Sequence, residues 1–195
     1  MASDLSDPAR WSTYFATTAD RPPNELYDWL APHLPPSGDA IDLGTGGGRG
    51  ARWLAARGLR VTATDISAEA LEVARARTPE GADITYVQAP FQTLELGTYD
   101  VAVACYTLFF LARDDHAAFW ARLVPAVKPG GLFAGEFLGP NDTWAGELTT
   151  HTRAQVDTML EPFEVLDLRE EDQDGETSLG ESKHWHVFHA IARKR

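Results

Sequence analysis

The chain has 195 residues and is 44% hydrophobic, with six Trp and nine Phe, enough for one well-filled core and short for two. Seventeen basic against 29 acidic residues leave a net charge of −12, which argues against a nucleic-acid surface, where affinity comes from neutralising phosphates. The single cysteine, Cys105, excludes an intramolecular disulfide and a cysteine-built metal site, no run reaches the roughly 20 apolar residues of a membrane helix, and the start Met1-Ala2-Ser3-Asp4-Leu5 lacks a secretory pattern, so a cytoplasmic home without membrane attachment is expected.

Residues 1–21 read as a segment apart, carrying Trp11-Ser12-Thr13-Tyr14-Phe15, and residues 22–195 as the body of a single domain. Pro22-Pro23-Asn24 opens a helix whose Leu26, Trp29 and Leu30 fall at i, i+3 and i+4. A strand, Ala40 to Leu43, runs into a glycine cluster, and Ala51, Leu54 and Ala55 mark the next helix, with Gly58 as its cap. Leu59 to Thr64 is a strand ending at Asp65, Ser67 caps a helix to about Arg77, and Ile84 to Val87 is a third strand. The apolar run Val101 to Cys105 suits a strand buried on both faces. A helix from Asp114 or Asp115 puts Phe119, Trp120, Leu123, Val124 and Val127 on one stripe. Lys128-Pro129-Gly130-Gly131 ends it and feeds the strand Leu132 to Leu138, and Thr152-Arg153-Ala154-Gln155 is a capping box. Two strands, Phe163 to Leu168 and Trp185 to Ala192, close the pattern, joined by an acidic connection. Alternating strands and helices imply an α/β fold with a parallel sheet covered on both faces, and the closing pair implies an antiparallel hairpin at one end.

Asp42-Leu43-Gly44-Thr45-Gly46-Gly47-Gly48 follows the first strand and opens a helix, the context in which a glycine turn lets a nucleotide-like ligand approach the backbone. Asp65 ends the second strand, where a carboxylate accepts from both hydroxyls of a ribose or else caps the next helix. Asp42 separates ligand classes. It would repel the pyrophosphate of a dinucleotide, whereas a cation about 4 Å away at an effective dielectric near 20 gains roughly 4 kcal/mol before desolvation. Strict dinucleotide spacing would also need glycine where Arg49 stands. Arg49, Arg52, Arg57 and Arg60, at helical spacing, read as a solvated face.

These motifs, with Asp65-Ile66-Ser67 and Lys128-Pro129-Gly130-Gly131, resemble those of class I S-adenosylmethionine-dependent methyltransferases from about Asn24 to Leu138. The resemblance implies a Rossmann-like, mostly parallel sheet of seven strands, the last antiparallel between the fifth and sixth, with S-adenosyl-L-methionine as cofactor. It also implies that Gly44, Thr45 and Gly46 approach the methionine moiety, Asp65 holds the ribose, Ile66 packs on adenine and Cys105 lies beside the cofactor. The family often carries an aspartate for the adenine amino group where Ala89-Pro90-Phe91 stands here. Adenine would then be held by packing, by the Phe91 N–H, or by Gln88 or Gln92. Trp11 to Phe15 and Lys183-His184-Trp185-His186-Val187 resemble, more narrowly, small bacterial tellurite-resistance and thiopurine-type methyltransferases. That resemblance implies a lid of Trp11, Tyr14 and Phe15; the alternative is a helix docking its aromatic face on the core.

The expected reaction is methyl transfer to a small-molecule acceptor by in-line displacement. Alignment supplies much of the acceleration. A soft nucleophile needs no base, whereas a hydroxyl or amine would use Tyr106 or His184 first, with His186 and Glu136 behind them. Cys105 reads as a small core residue. The acidic stretch Glu170 to Glu176, with Glu181, is expected to project from the ligand side and to disfavour anionic acceptors. A monomer or homodimer is expected. A small nicotinamide-dependent oxidoreductase and a non-catalytic S-adenosylmethionine-binding module are the alternatives.

Overall fold

The order of elements in a computed structural model follows from local signals, most of them helix caps. It describes residue 5 and residues 7–195. Asp7 caps α1 (Pro8–Thr18), with Pro8 at the first helical position, and Asn24 caps α2 (Glu25–Leu30). After β1 (Gly38–Leu43) come α3 (Arg49–Ala55), β2 (Leu59–Asp65), α4 (Ala68–Ala76) capped by Ser67, β3 (Ile84–Gln88) and β4 (Tyr99–Ala104). Then follow α5 (Arg113–Ala126), β5 (Val127–Leu138), α6 (Arg153–Met159), β6 (Phe163–Glu176) and β7 (Ser182–Lys194). Thr152 and Gln155 form the expected capping box on α6.

The seven strands lie in the order β3-β2-β1-β4-β5-β7-β6. β7 alone is antiparallel, inserted between β5 and β6. The fold is therefore the expected mostly parallel Rossmann-like α/β sheet. Alternation along the central strands feeds two cores: Ile41, Ala102, Phe133 and Phe137 meet Phe119, Trp120 and Leu123 of α5, while Ala40, Val61, Val101 and Val103 meet Leu26 and Leu30 of α2 and Leu54 of α3. Each large side chain so buried contributes about 1.5–3 kcal/mol.

Three boundaries correct the sequence reading. α5 starts at Arg113, and Val127, expected on its stripe, heads β5 instead. The acidic stretch Glu170 to Glu176 is strand rather than connection, so β6 and β7 form a long ribbon whose tip is residues 177–181. Its charges misled because they face water from an edge strand, which needs no apolar alternation to pair.

Candidate active site

β1, β2, β4 and β5 all deliver their carboxyl ends to one side of the sheet, where a cleft of about 850 Å³ opens. On its floor the chain leaves β1 through Gly44, Gly46 and Gly48, with φ of 65°, 53° and 79°, left-handed values that other residues adopt only at a cost. A Cβ on Gly44 would overlap the Thr107 hydroxyl.

Two buried carboxylates brace this loop. Asp65 accepts the Gly46 N–H on one oxygen and the Ser67 N–H on the other, each at 2.9 Å, and burial raises its pKa. Asp42 accepts from the Tyr27 hydroxyl at 3.0 Å and the Thr45 hydroxyl at 2.5 Å, and burial pushes it up to about 6. Beside Asp65, Ile66 is 68% exposed and lines the cleft. Ala89, Pro90 and Phe91 border the same side, where Arg122 of α5 fixes the loop by donating to the carbonyls of Phe91, Gln92 and Leu94. Gln88 donates to the Ile66 carbonyl and Gln92 to Asp115, so both expected amides are engaged within the protein. The Phe91 ring stacks on Phe119 at 4.7 Å.

α1 crosses the mouth of the cleft. Trp11, Tyr14 and Phe15 form an aromatic cluster, and Trp11 meets Phe110 edge-on at 5.3 Å. Arg10 pairs with Glu181 and Arg21 donates to the Ser178 carbonyl, joining α1 to the tip of the β6–β7 ribbon. Arg52 donates to the carbonyls of Ala19 and Gly47 at 2.6 and 2.8 Å, and Arg49 to that of Pro22 at 3.0 Å. The expected solvated arginine face is thus corrected at two positions: Arg49 and Arg52 strap the segment around α1 to the glycine loop. Unpaired carbonyls at a loop and a helix end attract guanidinium groups, which periodicity cannot reveal.

The opposite wall is aromatic: Tyr106, Phe109, Trp144 and Trp185 line it. Tyr106 is the one non-glycine residue with positive φ among those described, at 51°, and its N–H donates to Glu136 at 2.8 Å. Burial raises the Tyr106 phenol and the Cys105 thiol well above their usual ranges, so neither is a ready base or nucleophile. Asp142 and Lys183 form a buried ion pair, with the ammonium 4.2 and 4.0 Å from the ring centres of Trp144 and Trp185. Asp142 also accepts the N–H groups of Trp144 and His186.

Trp11, Tyr14, Asp42, Gly44, Thr45, Gly46, Asp65, Ile66, Ala89, Pro90, Phe91, Cys105 and Tyr106 all border the cleft. His184 does not. It stands between Asp172 and Asp174, at 2.8 and 2.7 Å, on the ribbon's outer face, and those carboxylates raise its pKa. Strand alternation turns Trp185 to the cleft and His184 away from it. Sequence reasoning missed Thr107, Trp144 and the Asp142–Lys183 pair, and took Glu171, which lines the cleft, only as one charge of an acidic run. The ion pair joins positions 41 residues apart and carries no local signal.

The methyltransferase domain family matches residues 41–135. A ubiquinone biosynthesis O-methyltransferase from Erwinia tasmaniensis is 37% identical over 115 residues, 53% of this chain and 44% of that protein; the chain thus covers less than half of that relative's length. TehB from Haemophilus influenzae superposes with a TM-score of 0.77 at 18% identity, over 95% of this chain and 67% of the other. A 1,6-didemethyltoxoflavin-N1-methyltransferase from Burkholderia thailandensis, crystallised with S-adenosylhomocysteine, gives 0.68 at 21% identity, over 93% and 80%. The structural likenesses show the fold of S-adenosylmethionine-dependent methyltransferases, and the methyltransferase-domain match, to just under half of the chain, falls on the strands and loop that build the cleft floor.

Proposed function

We propose that the protein binds S-adenosyl-L-methionine in this cleft and transfers its methyl group to a small-molecule acceptor. The observation that carries the reading is the floor itself: left-handed glycines flanked by two buried carboxylates, Asp42 and Asp65, at adjacent parallel strand ends. Such a floor is hostile to pyrophosphate and suits a ligand with a cationic end and a ribose.

The residues fit that cofactor. Each Asp65 oxygen takes one N–H and keeps acceptor capacity for a hydroxyl. Ile66 offers a bare apolar surface to adenine, and Phe91 borders the same part of the cleft. Gly44, Thr45, Gly46 and Asp42 surround the methionine end, with Cys105 beside it. When bound, the cofactor supplies a methyl group on a positively charged sulfur, already activated for displacement. The chain aligns the acceptor, excludes water beneath α1 and handles any proton released.

In this reading the segment read as residues 1–21 acts from Asp7 onward as a lid over the body 22–195, with Trp11, Tyr14 and Phe15 as its inner face; residues 1–4 and 6 of that segment lie outside the described residues. The wall of Tyr106, Phe109, Trp144 and Trp185 favours a flat or apolar acceptor, and the net charge of −12 disfavours nucleic acid and other polyanions. The protein works in the cytoplasm as a monomer or homodimer. No helix among the described residues is long and apolar enough to cross a membrane. Calorimetry tests the reading: S-adenosylhomocysteine binds and NAD and NADP do not. Tight NAD binding without the nucleoside would overturn it.

A further inference from the structure

We infer that Glu171, backed by His189 and Glu136, takes up the proton that a hydroxyl or amine acceptor loses as it is methylated; this rests on the methyltransferase reading. The three residues come from adjacent strands. Glu136 of β5 stands directly opposite His189 of β7 in their ladder, and Glu171 of β6 lies diagonally beyond Arg169, His189's partner on that strand. Glu136 is fully buried and Glu171 is one-third exposed at the cleft. Between them His189 has Nε2 3.4 Å from Glu171 Oε2 and Nδ1 3.6 Å from Glu136 Oε1. That Nδ1 is buried without a hydrogen-bond partner. Trp29 of α2 closes over the imidazole edge-on at 5.4 Å, itself covered by the Arg169 guanidinium.

An isolated buried carboxylate is costly unless something cationic faces it. Here the facing group is a histidine whose pKa is raised, burial being outweighed by Glu136 and Glu171. The two flanking carboxylates stabilise the imidazolium that forms when His189 takes a proton. The neighbouring titratable groups are Tyr106 and Cys105, both held protonated, and Arg169 lies beyond Trp29. Glu136 does a second task, since its other oxygen accepts the Tyr106 N–H and fixes that residue's left-handed backbone. One buried carboxylate thus couples the aromatic wall to the proton path.

The acceptor's oxygen or nitrogen bonds to the methyl carbon while the carbon–sulfur bond breaks, its electron pair remaining on sulfur. The acceptor's proton passes to the Glu171 carboxylate and on to Nε2 of a neutral His189. The imidazolium rests between Glu136 and Glu171 until the site opens. A thiolate acceptor brings no proton and bypasses the path.

The test uses the full chain, with phenols and the matching thiophenols as acceptors and labelled methyl donor. In Glu171→Gln the phenol-to-thiophenol rate ratio falls on the order of 10²-fold, carried by kcat. A second readout needs no turnover. By NMR the His189 imidazole titrates lower by about one pH unit or more in Glu171→Gln and in Glu136→Gln than in the parent. Glu171→Gln lies at the partly exposed rim and carries both readouts should Glu136→Gln fail to fold. An unchanged ratio, an unmoved His189 midpoint, or a parent that methylates thiophenols but no phenol overturns the inference. If S-adenosylhomocysteine still binds in those cases, the methyltransferase reading stands; if the parent does not bind it, that reading falls first.

Discussion

The two sides of the cleft are built by different means. On the β1–β2 side the ligand-facing groups are mostly backbone, shaped by glycines and braced by strand-end carboxylates within a stretch of about 25 residues, Asp42 to Ser67. On the opposite side they are side chains from the segments after β4 and β5 and from β6 and β7, locked by a buried ion pair and by ring contacts between distant positions. The first is a backbone mould suited to one invariant ligand. The second is an assembly whose shape changes with any of several side chains, as suits the half of the site that distinguishes acceptors.

The largest expected effect breaks the second side. Lys183→Met leaves Asp142 buried without its cation and costs about 3–5 kcal/mol of stability, measured by denaturant unfolding. Asp142→Leu together with Lys183→Met recovers much of that loss, and in the double variant S-adenosylhomocysteine binding stays near the parent value. A double variant that loses the nucleoside too would show that the halves are not independent.

The next effect probes the first side. Asp65→Ala weakens S-adenosylhomocysteine by about 1.5–3 kcal/mol, the range for hydrogen bonds to a charged group, read by calorimetry. An unchanged dissociation constant would leave Asp65 only its two backbone contacts.

The smallest effect is a pH response rooted beneath the acceptor side. His116 and His151 pack together at 4.6 Å, and burial pushes both down to about 4. The unfolded chain takes up these protons near pH 6.5. It therefore binds more protons than the fold between about 6.5 and 4, and stability falls as pH drops through that window. Asp42, raised to about 6, works in the opposite sense by gaining its proton earlier in the fold. The net loss from pH 7 to 5 is about 1–2 kcal/mol, measured by thermal unfolding. His151→Phe removes most of the slope, because Asp42 then offsets the remaining histidine, and a flat profile in the parent would refute the assignment.

Legibility in the sequence follows the same division. Asp42, the glycines, Asp65 and the Ser67 cap could be read because their spacing is local and each residue type answers a backbone requirement. The antiparallel sense of the last strand was legible through the missing helix before it, whereas its insertion between β5 and β6 followed only from the family resemblance. The roles of Glu171, His189 and Lys183 were not, because ladder register sets them. The second half of β6, Glu170 to Glu176, reads as a charged connection and belongs to a strand of 14 residues; only that register brings Glu171 beside the cleft and turns His184 to water. Arg52 likewise reads as surface until the carbonyls of Ala19 and Gly47 stand beside it.

The insertion of β7 also dictates an order of assembly. The strand made last in the sheet must enter between two made earlier, and Arg10 finds Glu181 across a separation of 171 residues. Such contacts come late, because the long loop's entropy is lost before the contact repays it. Until β7 arrives, β5 presents Phe133, Phe137 and Leu138 along an open edge, the kind of surface on which unfinished chains adhere to one another. During synthesis the glycine-loop side of the cleft can form first, and the aromatic wall and the contact of α1 with the ribbon tip are completed only in the final step.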